Sequence, residues 1–418
     1  MKKGIIAVLF VLIAVGVSNA QVTAIRAGRI VDPETGTVAS NQIILIEGQD
    51  IKAIGANVAI PPGATVVDLS RETVIPGMMD AHAHLCMNTQ HKRDGGRYYF
   101  TTLLDSNAKR AIQGAVNAKS MLEYGFTAVR DIGNEGNYAC VEVRKMINSG
   151  EIDGPTFITA GRIIAPYGGQ FALQPDKQNL AEPEYLFADT RDEMKKAIRQ
   201  NLHYGATVIK LVIDDQRYIY SVDDIKFAIE EAHAAGAKLA AHAWTAAGAL
   251  NAAKAGVDSI EHAVAITDEA LAIAKQNKVA IVPIPFTERD AVLSGTPGGN
   301  RETNERWFID PVRRAHKAGV MMVWGPDVIY NTLEFPRGKV SIDTVDEWKM
   351  TGIPNLVILQ TLTTNAARLL GIERNRGWLK PGYRADIIAV RDNPLEKIET
   401  VKDVVFVMRN GKIYKQGK

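Results

Sequence analysis

Two histidines one residue apart, His82 and His84, are the first candidates for a functional site in this chain. Alternate side chains of a β-strand point to the same face, so both imidazoles would project together. A neutral imidazole is the commonest side-chain ligand of a divalent metal ion. A His-x-His pair alone is weak support for a metal site. Four further groups that could bind a metal occur in or at the end of other apolar, strand-like runs: Lys210, His242, His262 and Asp327.

Lys210 lies in the middle of the apolar run 208–212. A buried ammonium without a partner is costly, so such a lysine either loses its charge or pairs with an acid. Asp214 and Asp215 are the acids that an ion pair would use. The alternative is a neutral amine that reacts with CO₂ and forms a carbamate. A carbamate resembles a carboxylate and could bridge two cations.

The other three groups also have ordinary alternatives. His242 and His262 could be hydrogen-bonded core histidines, and Asp327 could cap the following segment. All six groups nevertheless fall near the C-terminal ends of five separate strand-like runs. We therefore interpret them as one metal centre.

Charged neighbours of these groups are expected to be structural. Glu261, beside His262, should point to the opposite strand face and be a surface or structural carboxylate, although a contact with a ligand histidine is the alternative. Arg130 and Asp131 are expected to pair with each other.

Between residues 76 and 373, short apolar runs alternate with amphipathic stretches, the pattern of repeated β-α units. Eight runs are predicted strands: 80–85, 128–132, 156–162, 207–213, 238–244, 259–264, 279–286 and 320–324. Four of the helical stretches end just before Gly205, Gly236, Gly256 and Gly319, as helix stops should. This order predicts an α/β chain folded as a (β/α)₈, TIM-like barrel, whose sites lie at the C-terminal ends of the strands. An open doubly wound sheet is the alternative, but no glycine-rich phosphate-binding fingerprint follows any predicted strand.

Both ends of the chain have short β-type runs separated by glycine and proline turns. The N-terminal runs lie between Val22 and about Val74, and the C-terminal runs follow Ala385. We predict that residues 21–75 and 374–418 pair in one small β-sandwich domain, which the barrel at 76–373 interrupts.

Residues 1–20 have the pattern of a secretory signal peptide, with Lys2 and Lys3, a short apolar run and small residues at 18–20. The run is short for a membrane span, so no stable membrane anchor is expected after cleavage, and an uncleaved anchor is the alternative. We predict an exported protein, periplasmic or secreted. Export permits a disulfide between Cys86 and Cys140, the only cysteines, but does not demand one.

The charge balance indicates a small-molecule partner. With Lys2 and Lys3 taken from the 49 basic residues, 47 remain against 47 acidic residues, and this neutral balance does not favour a nucleic-acid partner. A homo-oligomer stays open.

The ordered set of six groups resembles the amidohydrolase superfamily in its binuclear form with a carboxylated lysine. The resemblance covers nearly the whole chain after residue 20, including Val74-Ile-Pro-Gly-Met78 and Gly382-Tyr-Arg-Ala-Asp386. Stretches such as 125–131, 256–262, 363–367 and 392–395 are similar to the imidazolonepropionase-like and Xaa-Pro dipeptidase-like branch.

The resemblance implies two divalent cations, with Zn²⁺ expected and Mn²⁺, Co²⁺ or Fe²⁺ as alternatives. The more buried cation would be held by His82, His84, the Lys210 carbamate and Asp327. The second cation would be held by the same carbamate, His242 and His262. A bridging hydroxide would attack the substrate carbonyl, and Asp327 would pass its proton to the leaving nitrogen.

The implied activity is hydrolysis of amide or peptide C–N bonds in small substrates such as dipeptides, N-acyl amino acids or cyclic amides. The alternatives are an imidazolonepropionase-like ring hydrolase, a lactone or organophosphate hydrolase, and a binding scaffold without catalysis. Lys210 argues against the first, because that activity resembles the mononuclear form of the superfamily.

Two positions depart from the dipeptidase-like pattern. Such relatives often carry Gly-Gly-His after the third strand and Tyr two residues after the fifth-strand histidine, where this chain has Gln170 and Trp244. We predict that both residues contact substrate, together with Tyr167 from the same loop as Gln170.

Overall fold

The structure is a computed structural model that describes residues 22–133, 136–171, 173–294 and 299–417. The predicted signal peptide at 1–20 lies outside these residues. Among the helices that are described, none has the length and apolar character needed to cross a membrane.

The described strands are β1 Val22–Val31, β2 Val38–Glu47, β3 Asp50–Gly55, β4 Thr65–Pro76, β5 Met78–Ala83, β6 Phe126–Asp131, β7 Thr156–Thr159, β8 Ile163–Ala165, β9 Tyr185–Phe187, β10 Val208–Val212, β11 Lys238–Ala243, β12 Ser259–His262, β13 Ala280–Pro283, β14 Ile387–Val390, β15 Val404–Arg409 and β16 Lys412–Gln416. The described α-helices are α1 His91–Asp94, α2 Phe100–Leu104, α3 Asn107–Glu123, α4 Ala139–Asn148, α5 Arg191–Tyr204, α6 Val222–Ala234, α7 Ala246–Ala255, α8 Asp268–Gln276, α9 Glu288–Ser294, α10 Arg301–Asn304, α11 Asp310–Ala318, α12 Arg337–Asp343, α13 Val345–Met350, α14 Asn355–Leu362 and α15 Thr364–Leu370. Short 3₁₀ or π turns occupy Pro175–Ala181, Glu305–Ile309 and Ile398–Lys402.

The two chain ends share one seven-stranded sheet with the order β16-β15-β14-β4-β1-β2-β3. The link between the ends is the antiparallel pair of β4 and β14, in which Ile75 faces Ile388. Apolar side chains from both ends, such as Ile25, Ile44 and Phe406, are buried in one cluster. The sheet therefore brings both ends together, while the exact domain limits stay a prediction.

The central region forms two parallel sheets, β5-β6-β7 and β13-β12-β11-β10-β8-β9, in a TIM-barrel-like α/β arrangement. Backbone hydrogen bonds also join the sheets at two places. Thr207 N donates to Thr159 O at 2.8 Å, and Ala81 N donates to Trp324 O at 2.9 Å. The strand pairing does not itself amount to a closed eight-stranded barrel, so closure stays a prediction.

Two predicted strands differ from the structure. Of the predicted strand 156–162, only Thr156–Thr159 is a strand, because Gly161 takes a left-handed φ of 73°, and the separate strand β8 begins after it at Ile163. The predicted eighth strand 320–324 contains only an isolated parallel bridge from Met322 to Ile281. Gly325 and Pro326 follow directly, and proline cannot donate to a strand ladder.

Most helix limits follow the expected local signals. Thr190 and Glu193 form a capping box at the start of α5, and Gly205, Gly256 and Gly319 end α5, α7 and α11 in left-handed conformations. These caps fix where each helix returns the chain to the next strand.

Candidate metal centre

All six predicted metal-binding side chains line one cavity of about 340 Å³. They come from the end of β5 and the residue after it, from the middle of β10, from the ends of β11 and β12, and from the segment after Trp324. The parallel register places them together, because Val212 lies beside His242 and Ala243 lies beside His262. The six residues are His82, His84, Lys210, His242, His262 and Asp327.

Asp327 is the central carboxylate of this group. Its Oδ1 lies 3.1 Å from His84 Nε2 and 3.6 Å from His82 Nε2, and its Oδ2 lies 3.9 Å from His262 Nδ1. The rings of His242 and His262 approach with their centroids 4.3 Å apart. Nitrogen and oxygen atoms at these separations surround a space in which a cation could be bound.

The backbone takes unusual conformations where the strands end at the cavity. Asp215, His262 and Asp327 have φ values of 82°, 69° and 54°. Such left-handed values are uncommon for residues other than glycine and are often held at functional sites by the surrounding structure. At His262, a hydrogen bond from Ala263 N to Glu261 O closes a three-residue γ-turn.

Two of the histidines are held through the ring nitrogen that points away from Asp327. His82 Nδ1 lies 2.8 Å from Glu261 Oε2, and His84 Nδ1 lies 2.7 Å from the carbonyl oxygen of Gly133. An acceptor on one imidazole nitrogen keeps the proton there and leaves the other nitrogen free to bind a metal. Both Nε2 atoms therefore face Asp327 with a lone pair that could bind a metal.

The expectation for Glu261 was wrong. Its side chain is fully buried, accepts from His82 and Ser259, and pairs with Arg130 Nη2 at 2.7 Å. The γ-turn at His262 breaks the alternation of the strand, so two consecutive side chains face the interior. Burial would raise the pKa of Glu261, but the charges of Arg130 and the contact with His82 outweigh it and lower that pKa.

Arg130 and Asp131 do not pair with each other, contrary to expectation. They are neighbours on β6, where alternation sends them to opposite faces. Arg130 reaches Glu261 and the carbonyl of Ala81, whereas Asp131 accepts from the backbone N–H groups of Leu85 and Gly133. Asp131 thereby braces the backbone carbonyl that receives His84.

Lys210 is buried, and burial lowers the pKa of its amine to about 8. Among the described residues, no carboxylate oxygen lies within 4.0 Å of its Nζ. The ion pair with Asp214 or Asp215 is therefore not formed. Asp214 instead accepts from the backbone of Trp244 and from Thr245, and Asp215 lies against His242. An amine with this pKa is available in its neutral form near neutral pH.

Burial also keeps two imidazoles in their neutral form. It lowers the pKa of His82 to about 4 and holds the pKa of His262 well below its ordinary value. Burial would raise the pKa of the Asp327 carboxyl, but the interactions with His82 and His84 outweigh burial and lower that pKa. Neutral imidazoles beside an ionised carboxylate are the protonation states that metal binding requires.

The residues present therefore fit a divalent metal. His262 Nδ1 is buried without a hydrogen-bond partner among the described residues, and it faces the Asp327 carboxylate at 3.9 Å. A buried polar atom without a partner is costly, and a cation at this place would satisfy it.

The three predicted substrate contacts have different outcomes. Trp244 lines the cavity and stacks on His262 with a centroid distance of 5.4 Å. Gln170 also lines it, but its amide is already bound to Asp215 and to Tyr185. Tyr167 is 64% exposed, packs on Phe187 and does not reach the cavity, so its predicted substrate contact is not supported by its position.

Sequence reasoning did not single out the residues that form the outer wall of the cavity. Arg97, Tyr98 and Tyr99 follow the short helix α1 in the loop after β5, and Phe286 follows β13. The rule that barrel sites lie at the C-terminal ends of the strands indicates the segments that follow β5 and β13, but not which side chains turn inward. The structure also pairs Cys86 with Cys140 in a disulfide, directly beyond the histidine pair.

The amino-acid sequence of the chain matches one known protein family. The model of the amidohydrolase family matches residues 73–414. This chain belongs to the amidohydrolase family. The resemblance to the amidohydrolase superfamily is thereby confirmed, and the chain is a hydrolase of carbon–nitrogen bonds. The binuclear form with a carboxylated lysine stays a prediction.

Both kinds of enzyme in the predicted branch occur among the similar proteins, together with an ochratoxinase. Ochratoxinase from Aspergillus niger is 27% identical over 97% of this chain and 89% of its own length. Imidazolonepropionase from Kosmotoga olearia is 23% identical over 90% of this chain and 91% of its own length. A solved structure of a Xaa-Pro dipeptidase with bound methionine is 27% identical and superposes with a TM-score of 0.82, over 94% of this chain and all of the other.

Proposed function

We propose that this amidohydrolase is a binuclear metal-dependent enzyme that hydrolyses amide bonds of small substrates such as N-acyl amino acids and dipeptides. The observation that carries the proposal is the convergence of six metal-competent side chains on one cavity at the C-terminal ends of the central strands. Cyclic amides are included, because the reacting group is the same.

Two groups of ligands are proposed. His82, His84 and Asp327 would hold one cation, and His242 and His262 would hold the other. A carbamate on Lys210 would bridge the two, which the burial of its amine and the lowered pKa of about 8 support. Zn²⁺ is the expected metal. When bound, such cations supply a nucleophile by lowering the pKa of water and polarise the substrate carbonyl.

Asp327 is the residue that would move the proton. Its carboxylate lies beside three imidazoles and keeps a lowered pKa, so it is ionised before reaction. It can therefore take a proton from the attacking water and give it to the leaving nitrogen. This step matters for amides because an amine anion is a poor leaving group, and such general acid–base help contributes roughly 10²–10⁴-fold to the rate.

The lining of the cavity indicates which amides fit. Tyr98, Tyr99, Trp244 and Phe286 give it an aromatic wall suited to an apolar acyl group or side chain. Among the described residues, Asp327 is the one carboxylate that lines the cavity. Arg97 is exposed at the edge of the cavity and forms no ion pair with any described residue. A substrate carboxylate would therefore find a partner there, and a substrate ammonium would not.

The relatives support this direction. Their names record activity on ochratoxin, on Xaa-Pro dipeptides and on an imidazolone. Extracytoplasmic location after removal of residues 1–20 belongs to the same proposal, as does closure of the central strands into a (β/α)₈ barrel.

A reconstitution experiment tests the proposed function. Purified protein is treated with chelator, reloaded with Zn²⁺ in bicarbonate, and assayed against N-acyl amino acids, dipeptides, lactones and phosphotriesters. We expect Zn²⁺-dependent release of amino acid from N-acyl amino acids. Turnover of only lactones or phosphotriesters, or of no substrate at all, would contradict the proposal.

A further inference from the structure

His242 differs from the other histidines of the centre in the nitrogen that meets a carboxylate. His82 and His84 turn Nε2 towards Asp327, whereas His242 Nε2 lies 2.7 Å from Asp215 Oδ2. The described residues give His242 Nδ1 no hydrogen-bond partner, and the ring lines the cavity. The contact is not aligned as a hydrogen bond, but an ionised carboxylate at 2.7 Å repels a nitrogen lone pair and attracts an N–H group. It therefore favours the proton on Nε2 and a free lone pair on Nδ1.

Asp215 is itself held from the other side. Gln170 Nε2 donates to Asp215 Oδ2 at 2.8 Å, and the hydroxyl of Tyr185 donates to Gln170 Oε1 at 2.7 Å. Tyr185 is almost fully buried on β9. The glutamine therefore uses its oxygen and one N–H group within the protein, which leaves it a minor part in binding substrate.

The neighbouring acid has a separate task. Asp214 lies 3.9 Å from His242 Nε2, but its oxygens accept from Trp244 N and from both the N–H and the hydroxyl of Thr245. Asp214 thus stabilises the start of α7. At Asp215 the backbone has a left-handed φ of 82°, and the Asp215 side chain lies against the His242 imidazole instead.

From these contacts we propose that Tyr185, Gln170 and Asp215 form a positioning relay that fixes His242 with Nδ1 towards the second cation. The proposal rests on the proposed function, because it assigns His242 to a bound metal. The close Nε2···Oδ2 contact is poorly aligned as a hydrogen bond, so the exact placement of Asp215 by Gln170 decides how firmly the ring is held. Carboxylates that orient a metal-binding histidine commonly contribute 10–100-fold to metal affinity.

The first experiment measures metal affinity. Zn²⁺ is titrated into chelator-treated full-length protein in competition with a colorimetric chelator. We expect Asp215→Ala to weaken the second Zn²⁺ by about 10–100-fold and to leave the first unchanged. Gln170→Ala should weaken the second Zn²⁺ less, and Asp215→Asn should restore most of the affinity, because its amide oxygen can still accept from Nε2–H.

The control is Asp223→Ala, which removes an exposed carboxylate eight residues away and should bind both ions as the wild type does. Wild-type affinity for the second Zn²⁺ in Asp215→Ala would overturn the relay. Equal loss in Asp215→Asn and Asp215→Ala would overturn it too, because it would make Asp215 a direct ligand.

A second readout needs no metal. In chelator-treated protein labelled with ¹⁵N-histidine, the His242 ring is assigned by its absence in His242→Gln. We expect its proton on Nε2 in the wild type and a mixture of tautomers in Asp215→Ala. A proton on Nδ1 in the wild type would overturn the relay. If the wild type binds no Zn²⁺, the proposed function fails, while this measurement still decides the relay.

Discussion

Replacement of Glu261 by glutamine tests how the interior beneath the metal centre is stabilised. Glu261 is fully buried, lies 2.7 Å from Arg130 Nη2 and accepts from His82 Nδ1 at 2.8 Å. Glutamine has the same shape and keeps an oxygen for His82, but it removes the negative charge. Arg130, which is 1% exposed, would then be a buried cation without its partner.

The size of the effect follows from that unpaired charge. Breaking a buried ion pair by removing one partner costs about 3–5 kcal/mol. A loss of about 4 kcal/mol lowers the folding equilibrium constant by roughly 10³-fold. Because the pKa of Glu261 is lowered, its contribution to stability is complete at pH 7 and is lost only as pH falls below its ordinary value of 4.5.

The assay is urea unfolding of chelator-treated protein at pH 7, followed by tryptophan fluorescence. Arg130→Met should be destabilised by a similar amount, and the double variant should lose less than the sum of the two, by about 1–3 kcal/mol. Glu269→Gln, which removes one partner of an exposed pair with Lys254 at 3.7 Å, is the control and should change stability by less than about 1 kcal/mol. A change of that small size in Glu261→Gln, or strict additivity in the double variant, would show that the buried pair of Glu261 and Arg130 does not stabilise the protein.

Three further predictions concern the reaction. Lys210→Ala should lose both Zn²⁺ ions and activity, and a short carboxylic acid that replaces the carbamate should restore part of the activity. Metal analysis and a titration with the acid measure this. Full activity without the acid would exclude a bridging carbamate from the mechanism. Asp327→Asn should keep measurable Zn²⁺ yet lower kcat by about 10²–10⁴-fold, and an unchanged kcat would exclude the proton transfer. Arg97→Gln should raise KM for N-acyl amino acids roughly tenfold or more and leave KM for their carboxamides unchanged, since a charge-assisted hydrogen bond contributes about 1.5–3 kcal/mol; equal changes for both substrates would show that Arg97 does not bind the carboxylate.

The residues that converge on the cavity were accessible to sequence reasoning because each lies in or after an apolar run. Parallel strands present their C-terminal ends at one face, so groups far apart in sequence, such as His82 and Asp327, could be assigned to one site. The paired chain ends were accessible for a similar reason, because both have alternating runs with turn signals. The family resemblance rested on the same residues.

Features that depend on backbone conformation or on the paths of loops could not be predicted from the sequence. Glu261 shares the interior face of its strand with Ser259, and the γ-turn at His262 brings the next side chain to the interior as well. A pattern of strict alternation cannot show such a turn. Asp215 reaches His242 through a left-handed residue after β10, which only the three-dimensional path of the chain reveals. Arg97 lies in a loop whose fold is set by contacts distant in sequence.

The central claim is that two cations are bound by side chains from distant strands with a modified lysine between them. A crystal structure of Zn²⁺-loaded protein grown with bicarbonate, with anomalous data collected at the zinc edge, tests it most directly. Two anomalous peaks are expected in the cavity, one beside His82 and His84 and one beside His242 and His262, with carbamate density on Lys210. A single peak with an unmodified lysine, or zinc bound elsewhere on the chain, would contradict it.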